Sequence, residues 1–195
     1  MKRHSKYHLW MLLVVKGSFV IILSLILNSG LIGSPLIIEI ELDSTYKPKE
    51  QNLFFIARSK DDNRIFYDLA LQSNGKLTLS EPIDIYWLKC SKEGKSPLTF
   101  IQKKFAYGLT YTSISDNQAS FKFVSHDKME FVLKNTQYGY KVFTELDKQK
   151  IEVENIYVVI KGGTFWLPKV PEVHIIYRTK DGQLNTYKLL VNKDG

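Results

Sequence analysis

Past its first 38 residues the chain has two histidines, His126 and His174, and one cysteine, Cys90. Acid–base, nucleophilic or metal chemistry would have to be assembled from these and the carboxylates. No pair of them has the spacing of a zinc site, and no HExxH, GxSxG or Gly-rich phosphate loop is present. Neither a metal nor a cofactor is therefore expected. Ser125-His126-Asp127-Lys128 spells both a Ser-His-Asp string and an SxxK string. Triad members must converge in space, whereas neighbours along a strand point to opposite faces, so the string reads as a polar turn between strands. Ser73-Asn74-Gly75-Lys76 repeats SxxK, and a hairpin turn explains it. Cys90 has no histidine or helix N-terminus beside it to favour the thiolate, and reads as an inert, half-buried thiol. Asp61-Asp62 and the Glu152/Glu154 pair read as solvated acids, because such carboxylates need a third ligand or an apolar pocket before they act. Trp87 beside Tyr86 and Trp166 beside Phe165 read first as packed β core, and as stacking faces for a sugar second.

The elements that must position these groups are mostly strands. Leu53 to Ala57 and Ile65 to Leu71 flank Asp61-Asp62-Asn63, a loop sequence. Asn74-Gly75 joins Leu69-Ala70-Leu71 to Leu77-Thr78-Leu79, and that dipeptide favours a type I′ hairpin. Ile83 to Leu88 follows Pro82. Ala119, Phe121 and Phe123, then Met129, Phe131 and Leu133, alternate with polar residues at the period of half-buried antiparallel strands. Tyr138-Gly139 marks a turn before Tyr140 to Phe143. Ile151 and Val153 have one parity and Ile156, Val158 and Ile160 the other, which predicts a bulge near Asn155. Val173 to Tyr177 and Leu184 to Val191 form a last hairpin through Asp181-Gly182.

One segment departs from this pattern. Ser96-Pro97 supplies an N-cap and a first-turn proline, and Leu98, Ile101, Phe105 and Leu109 recur at three and four. Lys103 and Lys104 suit a helix C-terminus, and Gly108 can end the helix in the left-handed region. The spacing predicts one helix over about 97–107 with Leu98, Ile101 and Phe105 buried against the sheet. Nine or ten antiparallel strands with one helix give a mainly β fold, a β-sandwich or an open barrel.

The chain begins differently. Gly17 to Ile38 is a run of 22 residues without a formal charge, preceded by Lys2, Arg3, Lys6 and Lys16. As a helix it would reach roughly 33 Å, enough to cross a bilayer core. Cations before such a run hold the N-terminus in the cytoplasm and send the rest of the chain across. Residues 1–38 are thus a signal peptide or an N-terminal membrane anchor. The small-residue cleavage pattern is poor, because cutting after Ser29 or Gly33 leaves Leu27 or Leu31 three residues from the bond. An uncleaved anchor is accordingly the leading reading and a secreted product the other; either makes the domain extracytoplasmic, and the anchor makes a membrane its partner through residues 17–38. Residues 39–51 read as a tether and 52–195 as a single β-rich domain of sufficient size to bury its own core. The formal charge of +7 belongs largely to the leader: beyond residue 38 there are 23 basic against 20 acidic residues. That balance gives no reason to expect nucleic acid as a partner. The single cysteine excludes an internal disulfide.

Several phrases stand in a recognisable order. They are Arg58-Ser59-Lys60 with Asn63 and Tyr67, Gly75, and Pro82 with Tyr86-Trp87, followed by Leu98-Thr99 with Gln102-Lys103-Lys104 and by Ala106-Tyr107-Gly108. This order resembles the bacterial family catalogued as domain of unknown function 4833. Gly162-Gly163 and Pro168-Lys169-Val170 resemble its C-terminal part more loosely, and Ala57 stands where the family's pattern has an acid. The resemblance spans most of residues 53–178 and implies a fold unit, an export signal and no known activity. It also draws attention to Arg58, Lys60, Tyr86, Trp87, Gln102, Lys104 and Tyr107. If these converge they form a cationic–aromatic cluster suited to an anionic or sugar ligand. Otherwise they fasten the helix to the sheet by hydrogen bonds and stem packing. The leading reading is a non-catalytic, exported or membrane-tethered β-domain that binds an envelope component or a partner protein. The alternative is a hydrolase or transferase acting on envelope polymers, with an unidentified catalytic acid.

Overall fold

The structure is a computed structural model that describes residues 51–89, 94–164 and 168–191. The apolar run 17–38, nearly all of the tether, Cys90 and the Phe165-Trp166 pair lie outside the described residues. Eleven strands make one sheet: β1 (Asn52–Arg58), β2 (Asp61–Leu69), β3 (Ile83–Leu88), β4 (Lys95–Pro97), β5 (Leu109–Ile114), β6 (Gln118–Phe123), β7 (His126–Thr136), β8 (Gly139–Leu146), β9 (Gln149–Val159), β10 (Glu172–Arg178) and β11 (Leu184–Leu190). Nine of them run in the order β4-β3-β2-β1-β9-β8-β7-β6-β5, curled into a half-barrel. The far edge of β9 carries β10, and β10 carries β11.

Two antiparallel meanders, β1–β4 and β5–β9, are thus joined by a single pairing, and that pairing is parallel: Ile56, Ala57 and Arg58 of β1 lie beside Ile156, Tyr157 and Val158 of β9. The purely antiparallel sheet expected from sequence is corrected here to a mixed one. The joint depends on the parity switch. The β9–β10 register skips Glu154, with Asn155 opposite Ile176 and Val153 opposite Tyr177, so a bulge sits at the position the parity change predicts. On the N-terminal side of the bulge β9 pairs with β8, and on the C-terminal side the same edge pairs with β1. A bulge bends and twists its strand, and this one lies where the edge of β9 passes from β8 to β1.

The core fills the space between the wings. Phe54 stacks on Tyr67 at 4.4 Å, and Phe123 of the other wing meets both rings edge-on at 6.1 and 5.7 Å. Phe131 stacks on Phe121 at 5.6 Å and meets Phe123 edge-on at 5.1 Å. Such pairs add about 0.5–1.5 kcal/mol each beyond the area they bury. The β6 and β7 alternation places Ala119, Phe121, Phe123, Phe131 and Leu133 on this inner face, as the period of two predicts. β1 and β2 are buried on both faces, since Phe55, Ala57 and Phe66 join Tyr86 in a second, smaller cluster with Tyr157. One end of the half-barrel is closed by Leu77, which is fully buried and donates its amide to the Asp116 carbonyl at 2.9 Å.

Two local expectations need correction. Asp61-Asp62-Asn63 is not a loop: it opens β2, and the turn is Ser59-Lys60 alone, spanned by the Arg58–Asp61 ion pair. The 72–76 hairpin is not type I′, because only Gly75 has positive φ; the Gly75 amide bonds to the Gln72 carbonyl at 3.0 Å, and Leu71 and Leu77 form a lone bridge. The true two-residue turn with both residues left-handed is Asp147-Lys148, between β8 and β9.

The helix over 97–107 is also corrected. Residues 95–97 pair with β3 as β4, where an edge position tolerates the missing amide of Pro97. The helical segment starts later, as a single turn α1 (Phe100–Gln102) followed by a π-helical turn over Lys103–Tyr107. Thr99, not Ser96, is the N-cap: its hydroxyl accepts from the Gln102 amide at 3.3 Å, and the Gln102 side chain accepts from the Thr99 amide at 2.9 Å. The wider π turn moves side chains off the i, i+4 stripe. Leu98 is buried as expected, but Ile101 and Phe105 are exposed, and Tyr107 faces the sheet instead. Gly108 is extended rather than left-handed; a Cβ there would stand 1.9 Å from the Lys103 carbonyl oxygen.

Candidate binding site

The end of the half-barrel opposite Leu77 is not filled. A cavity of about 440 Å³ lies there. Its walls are the last residues of β1 and β9 (Ile56, Ile156 and Val158), the facing side of β10 (Val173 and Ile175), and Met129 of β7. Ile101, Phe105 and Ala106 form its rim. These walls are mostly aliphatic, and Phe123 and Phe131 of the aromatic core close the space on one side.

Polar groups enter the wall from one side. Arg58, at the C-terminal end of β1, lies with its guanidinium 4.6 Å over the Trp87 ring. Its Nη1 donates to the Tyr107 hydroxyl at 3.2 Å, Nη2 pairs with Asp61, and its buried Nε has no partner among the described residues. Trp87 Nε1 donates to Gln102 Oε1 at 3.1 Å, and the Tyr107 ring meets Trp87 edge-on at 5.5 Å. The Tyr67 hydroxyl donates to the Tyr107 carbonyl at 2.8 Å. Burial, with Tyr107 and Tyr111 nearby, holds the Tyr67 phenol well above its ordinary pKa, and burial raises Tyr111 likewise. Both phenols remain neutral. Ser125 and His126 also border the cavity, and the Ser125 hydroxyl donates to the Ala106 carbonyl at 2.8 Å.

Of the seven residues singled out from sequence, Arg58, Trp87, Gln102 and Tyr107 come together at this wall. Tyr86 does not join them. It projects from the other face of β3, where its hydroxyl donates to the buried Asp68 at 2.9 Å under the Lys95 ammonium. Lys60 lies in the exposed turn after β1, and Lys104 is exposed, with its ammonium near the Phe100 and Phe105 rings. Sequence reasoning set aside Asp61, Ser125 and His126 and missed the apolar lining. Asp61 had a signal, since it follows Arg58 by three residues across a tight turn. Glu152 and Glu154 are not free acids but pair with Lys141 and Arg178. Among the described residues no three His, Cys, Asp or Glu side chains gather as a metal set.

The family model described as domain of unknown function DUF4833 matches residues 54–194. The chain belongs to this family. Neither a curated protein nor a solved structure matches it. The DUF4833 match runs from β1 past β11, so the parallel joint, the Arg58 cluster and the cavity walls all fall within it.

Proposed function

We propose that this DUF4833 domain is a non-catalytic binding module of the cell envelope whose cavity takes the apolar part of a small amphiphile. The single observation that carries this is the unfilled, largely apolar space of about 440 Å³ beside a closely packed aromatic core. Protein interiors seldom leave voids larger than a water molecule, and ligand pockets of about 300–1,000 Å³ are mostly apolar with a few placed polar groups. Gln102, Tyr107, Ser125 and His126 are those groups here. The uncharged run 17–38, read as an anchor or export signal, supports an envelope setting. A hydrolase reading draws on Ser125 and His126 at the same wall, but the serine hydroxyl is already given to a backbone carbonyl.

The test is titration of the full chain with cis-parinaric acid, a fluorescent fatty acid. Saturable binding is expected, and Val173→Trp, which places a ring in the cavity, should weaken it at least tenfold with an unchanged melting curve. No binding by the native protein, or equal binding by the filled variant, overturns the reading.

A further inference from the structure

The segment at the cavity rim shows large apolar side chains to water. Phe100, Ile101 and Phe105 are 75%, 49% and 63% exposed, all within six consecutive residues. The segment is no frayed end. Its backbone is held by the Thr99–Gln102 capping box, by the Tyr67 hydroxyl on the Tyr107 carbonyl and by the Ser125 hydroxyl on the Ala106 carbonyl. Its outer side is therefore a built apolar surface.

The charges on that surface have one sign. Residues 99–107 include Lys103 and Lys104 and no acid. The Lys104 ammonium lies 5.6 Å from the Phe100 ring centre and 5.3 Å from that of Phe105, so cation and apolar groups share one patch. Aromatic and aliphatic side chains with interleaved lysines make an interfacial segment: the rings enter the boundary between headgroups and acyl chains, and the ammonium groups meet anionic lipid. The chain adds a second argument. Only the 13 residues 39–51 separate the uncharged run from β1, a reach of at most roughly 43–47 Å even when fully extended.

We propose that the segment Thr99–Tyr107 docks on a bilayer surface carrying anionic phospholipid. Phe100, Ile101 and Phe105 insert, and Lys103 and Lys104 bind headgroups. Ile101 and Phe105 also form the cavity rim, so docking turns the mouth toward lipid. The docking stands on the exposed patch and does not depend on what fills the cavity.

The full chain is reconstituted into vesicles of phosphatidylcholine alone or with one third phosphatidylglycerol. In a Cys90→Ser background, bimane is attached at Phe105→Cys, at Phe100→Cys as a second site, and at Tyr138→Cys as reference. Tyr138 is 80% exposed and lies just beyond the opposite end of β7 from His126. Spin-labelled lipid should quench bimane at 105 and 100 at least threefold more than at 138 in the anionic vesicles. Replacing Lys103 and Lys104 by Gln should remove most of that excess. Equal quenching at all three sites overturns the docking. Quenching at 105 and 100 as strong in phosphatidylcholine alone overturns the requirement for an anionic surface.

Discussion

The aromatic core and the cavity beside it share β1, β6 and β7, yet only one of them is filled. In the core, Phe54 and Tyr67 of one wing reach Phe123 of the other, and rings close the gap. Around the cavity β1, β9 and β10 offer the shorter Ile56, Ile156, Val158 and Val173, and the space between them stays open. The large side chains that could have plugged the gap, Ile101 and Phe105, stand at the rim in partial contact with water. A sequence with ample aromatic residues has left one end unpacked, and it is the end bordered by Arg58, Gln102 and Tyr107. The rings of β6 and β7 border both regions, and the shorter side chains of β9 and β10 leave the second of them open.

Breaking the filled region should have the largest effect. Phe121→Ala removes a fully buried ring packed against Tyr111, Phe123 and Phe131, and should cost about 3–5 kcal/mol in chemical denaturation. Gly108→Ala comes next. Its methyl would collide with the Lys103 carbonyl, and a backbone atom can move only by unwinding the π turn. A loss of about 1–3 kcal/mol is expected, as for other overpacked sites, with weakened Thr99–Tyr107 protection in hydrogen exchange. The smallest effect belongs to the rim. Fully burying an isoleucine is worth about 1.5–3 kcal/mol, and half of Ile101 is already in water. Ile101→Ala should therefore lower stability by no more than about 1 kcal/mol. A loss as large as that of Phe121→Ala would show that the rim is core after all.

Legibility from sequence tracks the range of the interaction. β6 and β7 show a strict period of two because one face is buried, and the β9 bulge announces itself as a change of parity within five residues. The parallel joint leaves no such trace, since Ile56 and Ile156 are a hundred residues apart and no local pattern records their pairing. The helix was half legible. Leu98, Ile101 and Phe105 have helical spacing, but the spacing does not distinguish an α turn from a π turn, and Ser96-Pro97 signals a cap while the β3 edge claims it for pairing. At the site, the shared phrases brought out Arg58, Trp87, Gln102 and Tyr107. Tyr86 was separable in advance, because adjacent residues of a strand point to opposite faces. The cavity was not legible, since an isoleucine facing a void looks the same in sequence as one facing a ring.

The parallel joint has a consequence for how the chain is made. Synthesis delivers β1 first and β9 a hundred residues later. Until residues 156–158 arrive, one edge of the run Phe54-Phe55-Ile56-Ala57 has a row of unpaired amides and carbonyls beside strongly apolar side chains. Such an edge is a template for pairing with another copy, and closing so long a loop is slow. A nascent or truncated chain that stops before β9 is thus an aggregation-prone species. β9, in about the last quarter of the protein, is what covers that edge of β1.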